Sequence, residues 1–265
     1  MVAKLFALLA AMAAPALASD LVLLHAAGSL RAALTDVMNA FEAKSGIKVQ
    51  AKFGASGLLK DAIAAGAKAE VFASANMEHP QALAAAKRSG PVVRFTRNRL
   101  CALARPGLAV DTANLLERML DPNVKLGTST PRADPSGDYA WEVFRKADAV
   151  KPGAFAVLEQ KALQLAGGPS SPPVPPGRTL YGALLAQGAA DIFLTYCTNA
   201  LAARQEEPAQ QMVALPEALA VGADYGLTVM SDASPEAYRF AMFILSEEGQ
   251  RILASHGFAS ANLPQ

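Results

Sequence analysis

Four short corners in the chain combine small residues with polar side chains, and each comes just before a predicted helix. A helix N-terminus presents free N–H groups and roughly half a positive charge, so it attracts anions. A serine there can give its hydroxyl to an anion, or it can only cap the helix. Small neighbours let a ligand approach the backbone. The corners are Gly28-Ser29, Ala55-Ser56-Gly57, Pro135-Ser136-Gly137 and Gly177-Arg178-Thr179.

The residue types at these corners favour binding of a fully deprotonated oxyanion. None of the corners contains an acidic residue, although Asp134 and Asp138 flank the third one. A site of donors without acceptors would reject hydrogen phosphate, because its proton needs an acceptor. Any one serine is explained by a plain N-cap, but four corners of the same chemical kind favour a shared binding site.

Motifs of other chemistries fail or are incomplete. Leu58 stands where the G-x-S-x-G nucleophile elbow needs its last glycine, and neither a P-loop nor a dinucleotide-binding motif occurs. A Ser–His–Asp triad is not excluded by the residues present, but no local motif suggests one. His25, His79 and His256 lie far apart without ligand spacing, so no metal site and no cofactor are predicted.

Helix-like and strand-like patterns alternate along the first half of the chain. From Leu30 to Phe41 apolar residues recur at i, i+3, i+4 and i+7, which predicts a helix that ends at Gly46. Residues 47–53 and 70–75 have strand character, and residues 79–90 predict a helix ended by Gly90. This alternation indicates right-handed βαβ units, and therefore an α/β fold with mainly parallel sheets.

The alternation continues beyond Arg97. A Pro-rich stretch, residues 170–177, can form neither a helix nor a central strand, and we interpret it as a loop inside the second domain. The predicted strands are residues 99–107, 124–130, 190–196 and 225–231, and the predicted helices are 113–120, 138–147, 178–188 and two between 234 and 258.

Composition and the first residues indicate an exported protein. The 265-residue chain is 52% hydrophobic and carries a net charge of +1, which gives no reason to expect nucleic acid or an anionic membrane as a partner. Lys4, an apolar run over residues 5–14 and the small-x-small end at Ala18 predict a signal peptide cleaved after Ala18. The run is too short to span a bilayer, which needs ~20 apolar residues. Cys101 and Cys197 then meet an oxidising compartment, but the sequence leaves open whether they pair.

At these corners the sequence resembles the periplasmic molybdate-binding proteins that serve ABC importers. The resemblance covers nearly the whole mature chain and is strongest in "AAGSLRAALTDVMNAFEAKSGIKV", "FGASGLLKDAIAAGAKAEVFASAN", "PSGDYA" and "DIFLTY". It implies a type II periplasmic-binding-protein (Venus-flytrap) fold, with two lobes joined by crossing strands at residues 99–105 and 225–231. After the signal peptide of residues 1–18, lobe one would comprise residues 20–97 and 229–265, and lobe two residues 98–228.

The resemblance also implies a function and a ligand set. The protein would be a non-enzymatic, monomeric, periplasmic component that captures molybdate or tungstate in the cleft and delivers it to a membrane permease. Ser29 and Ser56 would give hydroxyls, Ser136 would give a backbone N–H, and Tyr196 would give its phenol. Tyr196 alone would otherwise be an ordinary buried tyrosine at a strand end.

Several positions depart from the family pattern and leave the anion open. Arg178 stands where a small or apolar residue gives only its N–H, and its guanidinium would either bind the anion or point to solvent. Glu70 and Asn76 replace frequent aspartates, and the third corner is longer through Arg132-Ala133-Asp134. The alternatives are therefore a binding protein for tungstate, sulfate or another oxyanion, and an exported serine hydrolase.

Overall fold

The computed structural model describes residues 21–260, so the predicted signal peptide lies outside the described residues. Helices and strands alternate over most of this range, as predicted. In the described range, no helix combines the length and the apolar character that crossing a membrane requires.

The first half of the described chain carries the first two predicted corners. The helix predicted from Leu30 begins at Arg31, after a short 3-10 turn over Gly28–Leu30, and ends as predicted before Gly46, which adopts a left-handed φ of 73°. The elements are β1 (Leu21–Ala27), α1 (Arg31–Ser45), β2 (Lys48–Gly54), α2 (Ser56–Ala64), β3 (Val71–Ser74), α3 (Glu78–Ala85) and β4 (Val93–Ala104).

The second half contains three short strands (residues 163–166, 211–214 and 259–260) and two helices (residues 154–161 and 197–206) that the sequence patterns did not indicate. The Pro-rich stretch 170–177 contains no helix or strand, as predicted. The elements are α4 (Leu115–Leu120), β5 (Leu126–Ser129), α5 (Pro135–Val150), α6 (Ala154–Lys161), β6 (Leu163–Ala166), α7 (Leu180–Ala186), β7 (Ile192–Tyr196), α8 (Cys197–Glu206), β8 (Gln211–Ala214), β9 (Gly222–Val229), α9 (Pro235–Leu245), α10 (Glu247–Ser255) and β10 (Ala259–Ser260).

The end of α3 corrects one prediction. The helix stops at Ala85 rather than at Gly90, because Lys87 takes a positive φ of 57° and turns the backbone out of the helix. The N–H of Arg88 then donates back to the carbonyl of Leu83 at 2.9 Å, which closes the helix end. Gly90 instead donates its N–H to Val229 on β9.

The strands form a mixed sheet in the order β2-β1-β3-β9-β4-β7-β5-β6. β1 lies parallel to β2 and β3, and β5 lies parallel to β6 and β7, so the strands that lead into the corners have the predicted parallel arrangement. The two connecting strands, β4 and β9, pair antiparallel with their neighbours, so the sheet as a whole is mixed while each of these two groups of strands is parallel, as predicted.

β4 connects two groups of strands. Its first part, from Val93 to Arg99, pairs with β9, and its second part, from Leu100 to Ala104, pairs with β7. The connecting strands begin earlier in the chain than the predicted ranges 99–105 and 225–231, because the pairing of β4 with β9 runs from Val93 opposite Leu227 to Arg99 opposite Gly222.

A disulfide joins the second part of β4 to the start of α8. Cys101 pairs with Thr195 in the strand register, which brings it next to Cys197 with a Cα–Cα distance of 4.8 Å. The bond anchors the residue that directly follows Tyr196. The two cysteines, whose pairing the sequence left open, are therefore bonded.

Candidate ligand-binding site

The three corner serines do not cap their helices. α1 and α2 begin after Leu30 and Ala55, which give no side-chain cap, and α5 is capped by Asp134. The plain N-cap explanation therefore fails for Ser29, Ser56 and Ser136. Their hydroxyl groups serve other partners or none.

The Ser29 hydroxyl contacts Tyr225, a residue of β9. The two oxygens are 2.9 Å apart, and Asn98 Nδ2 approaches the same Tyr225 oxygen at 3.3 Å. Asn98 donates to that oxygen, so the phenol can donate its hydrogen to Ser29, and in this arrangement the Ser29 hydrogen can be donated to an anion. Burial raises the pKa of Tyr225 well above its ordinary value, so the phenol stays a neutral donor.

Ser56 presents a hydroxyl in a similar state. Its side chain is 1% exposed, and its oxygen accepts the N–H of Ala75, the residue that follows β3, at 3.1 Å. This leaves the hydroxyl hydrogen available as a donor.

The third corner offers a hydroxyl where the resemblance implied a backbone N–H. The N–H of Ser136 donates to Asp134 Oδ1 at 3.2 Å, so it is already occupied by the helix cap. The Ser136 side chain is fully buried, and its hydroxyl has no hydrogen-bond partner in the described part of the chain. The side chain, rather than the backbone, is the available donor in this structure.

Tyr196 closes β7 with its phenol buried. The residue is 1% exposed, and its hydroxyl has no partner within residues 21–260. Its ring packs edge-on against Tyr225 at 5.6 Å and against Tyr139 at 6.3 Å between centroids. Burial, followed by Tyr225 and Asp134, raises the pKa of Tyr196 well above its ordinary value, and the phenol remains protonated.

Strand pairing and direct contacts bring the first three corners together. Ala27 pairs with Gly54 in the register of β1 and β2, which makes the first two corners neighbours. The N–H of Gly57 donates to the carbonyl of Ala133 at 2.9 Å, so the second corner touches the third. A Cβ on Gly57 would lie 2.4 Å from the Arg132 carbonyl, which shows how closely the two corners approach.

A path of contacts links Ser29, Tyr196 and Ser56, while Ser136 belongs to the third corner, which the second corner touches. Ser29 bonds to Tyr225, whose ring packs on Tyr196, and the Tyr196 ring packs on Tyr139. The Tyr139 hydroxyl donates to the Ala75 carbonyl at 3.4 Å, and the Ala75 N–H returns to Ser56. We call Ser29, Ser56, Ser136, Tyr196 and Tyr225 the hydroxyl cluster.

The fourth corner does not join the hydroxyl cluster. Arg178 is exposed, and its N–H closes a turn on the Pro175 carbonyl at 3.2 Å. Thr179 caps α7 by accepting the Gly182 N–H at 3.3 Å, so this corner is a plain N-cap. Of the two alternatives for Arg178, the structure matches the one in which its side chain faces solvent.

The positions that replace family aspartates have structural contacts. Glu70 accepts the N–H of Leu23 at 2.9 Å and the N–H of Ser234 at 3.0 Å, and it thereby ties β1 to the start of α9. Asn76 accepts the Ser74 hydroxyl at 2.8 Å. Neither contact involves the hydroxyl cluster.

A surface pocket of about 340 Å³ is lined in part by Tyr139, whose ring packs on Tyr196 of the hydroxyl cluster. Arg97 and Asp224, which pair at 2.8 Å, form part of its wall. A larger pocket of about 560 Å³ lies at the amino end of β1 around Leu21 and Glu70, away from the corners.

Sequence reasoning missed Tyr225, Tyr139 and Asn98 as parts of the site. The motif "PSGDYA", which contains Tyr139, supports the resemblance to the family, but the resemblance implies no role for this tyrosine. No local pattern could connect Tyr225 to Ser29, because 196 residues separate them.

Comparisons with known proteins agree with this architecture. Residues 22–259 match the family model of the bacterial extracellular solute-binding proteins. The chain is 35% identical over 239 residues to the uncharacterized protein PM1146 of Pasteurella multocida (strain Pm70), covering 89% of this chain and 98% of that protein.

Two solved structures illustrate the fold. The periplasmic molybdate-binding protein of Azotobacter vinelandii superimposes with a TM-score of 0.73 at 18% identity, covering 92% of this chain and 100% of that one. The sulfate-binding protein SubI of Mycobacterium tuberculosis H37Rv gives a TM-score of 0.76 at 18% identity, covering 91% of this chain and 87% of that one. The fold is therefore the type II periplasmic-binding-protein fold, and the chain belongs to the family of bacterial extracellular solute-binding proteins.

Proposed function

We propose that this protein captures a tetrahedral oxyanion, molybdate in the first place, and delivers it to the membrane permease of an ABC importer. The signal peptide directs it to the periplasm, where it acts as a monomer. Residues 20–97 and 229–265 form one lobe and residues 98–228 the other, with the ligand held between them. No cofactor takes part.

The observation that carries the proposal is the state of the hydroxyl cluster. Among residues 21–260, the buried hydroxyls of Ser136 and Tyr196 have no partner, Ser56 accepts an N–H and keeps its hydrogen to donate, and Ser29 can donate its hydrogen when Tyr225 donates to it. A buried polar group without a partner costs about 1–3 kcal/mol, which a bound acceptor would recover. A dianion accepts from all four at once, and each charge-assisted bond contributes on the order of 1.5–3 kcal/mol.

The structure offers no support for the hydrolase alternative. The partners of Ser29 and Ser56 are a phenol and a backbone N–H, neither of which is a general base. His256, which forms a pair with Asp36 at 2.8 Å, bonds to neither serine.

A thermal-shift screen with molybdate, tungstate, sulfate and phosphate tests the proposal, because a ligand that binds only the native state raises the melting temperature. We expect molybdate to give the largest shift and the Ser29→Ala, Ser56→Ala double variant to lose it. Calorimetric competition between molybdate, tungstate and sulfate then ranks the anions. A protein that no oxyanion stabilises, and that hydrolyses a generic ester in a serine-dependent manner, would contradict the proposal.

A further inference from the structure

A carboxyl group borders the hydroxyl cluster at the third corner. Asp134 Oδ1 accepts the N–H of Ser136, and a Cβ built on Gly167 would lie 2.5 Å from Oδ2, so the second oxygen packs against the backbone. The carboxyl is thus held next to Ser136, and its charge also acts on Tyr196; the hydroxyls of both residues are buried without a partner in the described part of the chain. The third corner therefore contains an acceptor as well as donors.

The surroundings of Asp134 disfavour a negative charge. Burial raises the pKa of its carboxyl to about 6, the Ser136 N–H opposes this rise, and the nearby carboxylate of Asp138 adds to it. The charge of Asp134 also raises the pKa of Tyr181 from α7 and of Tyr196 from β7, and burial, the larger effect, keeps both phenols neutral. Arg132, His79 and Glu78 act on Asp138 rather than on Asp134.

A dianion in the hydroxyl cluster would add a second negative charge close to Asp134. Two negative charges close together in a site closed to water repel each other, which raises the free energy of the complex. The Asp134 carboxylate, which is the more basic of the two, therefore takes up a proton. A protonated Asp134 no longer repels the anion.

We propose that oxyanion capture is coupled to protonation of Asp134, so that binding takes up one proton and weakens as the pH rises. This inference rests on the proposed function, because it concerns the same site. The pKa of Asp134 is higher in the complex than in the free protein. At a pH where Asp134 is protonated in both the free protein and the complex, the affinity does not change with pH. The affinity falls as the pH rises from the pKa of Asp134 in the free protein towards its pKa in the complex.

Isothermal titration calorimetry with molybdate, and in parallel with sulfate, tests this coupling from about pH 6 to about pH 8 in pairs of buffers with different ionisation enthalpies. For the wild type we expect an affinity loss approaching tenfold per pH unit and an uptake of about one proton. Asp134→Asn keeps an acceptor for the Ser136 N–H but has no charge. It should bind about tenfold or more tightly than the wild type at about pH 8, with a flat pH profile.

The controls separate this inference from the proposed function. Asp138→Asn removes the neighbouring charge and should keep the dependence of affinity on pH. If Asp134→Asn folds poorly, Asp134→Ser replaces it, because serine also caps a helix N-terminus and carries no charge. Binding of molybdate or sulfate to the wild type without a slope, or with the same slope in Asp134→Asn, overturns the coupling and leaves the proposed function standing. Affinity for phosphate that increases with pH and requires Asp134 would instead make this carboxylate an acceptor, and it also overturns the coupling. Absence of binding by every oxyanion overturns both proposals.

Discussion

The hydroxyl oxygen of Ser29 lies 2.9 Å from the phenol oxygen of Tyr225, which Asn98 approaches from the other side. A donor at the start of the chain is thus oriented by a residue near its end. Removing the donor should cost more binding than removing its orienting partner, because in the proposed site only the donor contacts the anion.

We expect Ser29→Ala to weaken oxyanion binding by about tenfold to a hundredfold, and Tyr225→Phe by about threefold to tenfold. Titration calorimetry with molybdate measures both. Ser45→Ala is the matched control, since the Ser45 hydroxyl bonds to the Phe41 carbonyl at the end of α1 and should not affect affinity. Equal affinity in Ser29→Ala and the wild type would exclude Ser29 as a ligand.

Ser56→Ala should affect both binding and stability. The variant loses a donor to the anion, which weakens binding about tenfold to a hundredfold, and it leaves the buried Ala75 N–H without its acceptor, at a cost of about 1–3 kcal/mol of folding free energy. Urea unfolding followed by calorimetry separates the two effects. In Ser89→Ala, a control at another buried serine, binding should be retained; a Ser56→Ala protein with full affinity would argue against the site.

Loss of the Cys101–Cys197 disulfide should destabilise the protein by about 2–5 kcal/mol, because the bond closes a long loop between residues 96 positions apart. Urea unfolding of the Cys101→Ala, Cys197→Ala double variant measures this loss, and the wild type with a reducing agent provides the comparison. An unchanged unfolding midpoint after complete reduction, verified by thiol titration, would show that the bond contributes little.

Glu70 should make stability depend on acid pH. Burial raises the pKa of this carboxyl, but hydrogen bonds from Ser234 and Leu23 outweigh it and lower the pKa below the ordinary value of 4.5. The stabilisation is therefore present above the unfolded-state pKa and disappears as the pH falls through the folded-state pKa.

We expect Glu70→Gln to lower the free energy of unfolding at neutral pH by about 1–3 kcal/mol and to differ less from the wild type in acid. Urea titrations at several pH values provide the measurement. Glu42→Gln, at an exposed position of α1, is the control and should match the wild type throughout. A constant difference between Glu70→Gln and the wild type across the pH range would contradict this role of the charge.

Local chemistry explains why much of the fold was predictable. The end of α1 follows from Gly46, which reaches a left-handed φ at little cost, whereas α3 ends at Ala85 because of the positive φ at Lys87, a residue that carries no such signal. The Pro-rich loop follows from the missing N–H groups of proline. The pairing of Cys101 with Cys197 was open, because it depends on strand register.

The sequence alone determined where strands turn into helices and which donor-rich corners stand at those turns, since both depend on residues within a few positions of one another. Only the tertiary structure decided what each polar group does there. In the folded chain the Ser29 hydroxyl bonds to Tyr225, and the Ser56 hydroxyl accepts the Ala75 N–H. Within residues 21–260 the hydroxyls of Ser136 and Tyr196 have no partner, and Asp134 lies next to Ser136. The Arg178 side chain is exposed. Hydrogen bonds and charges act over a few ångströms of space, and separation along the chain does not measure that distance.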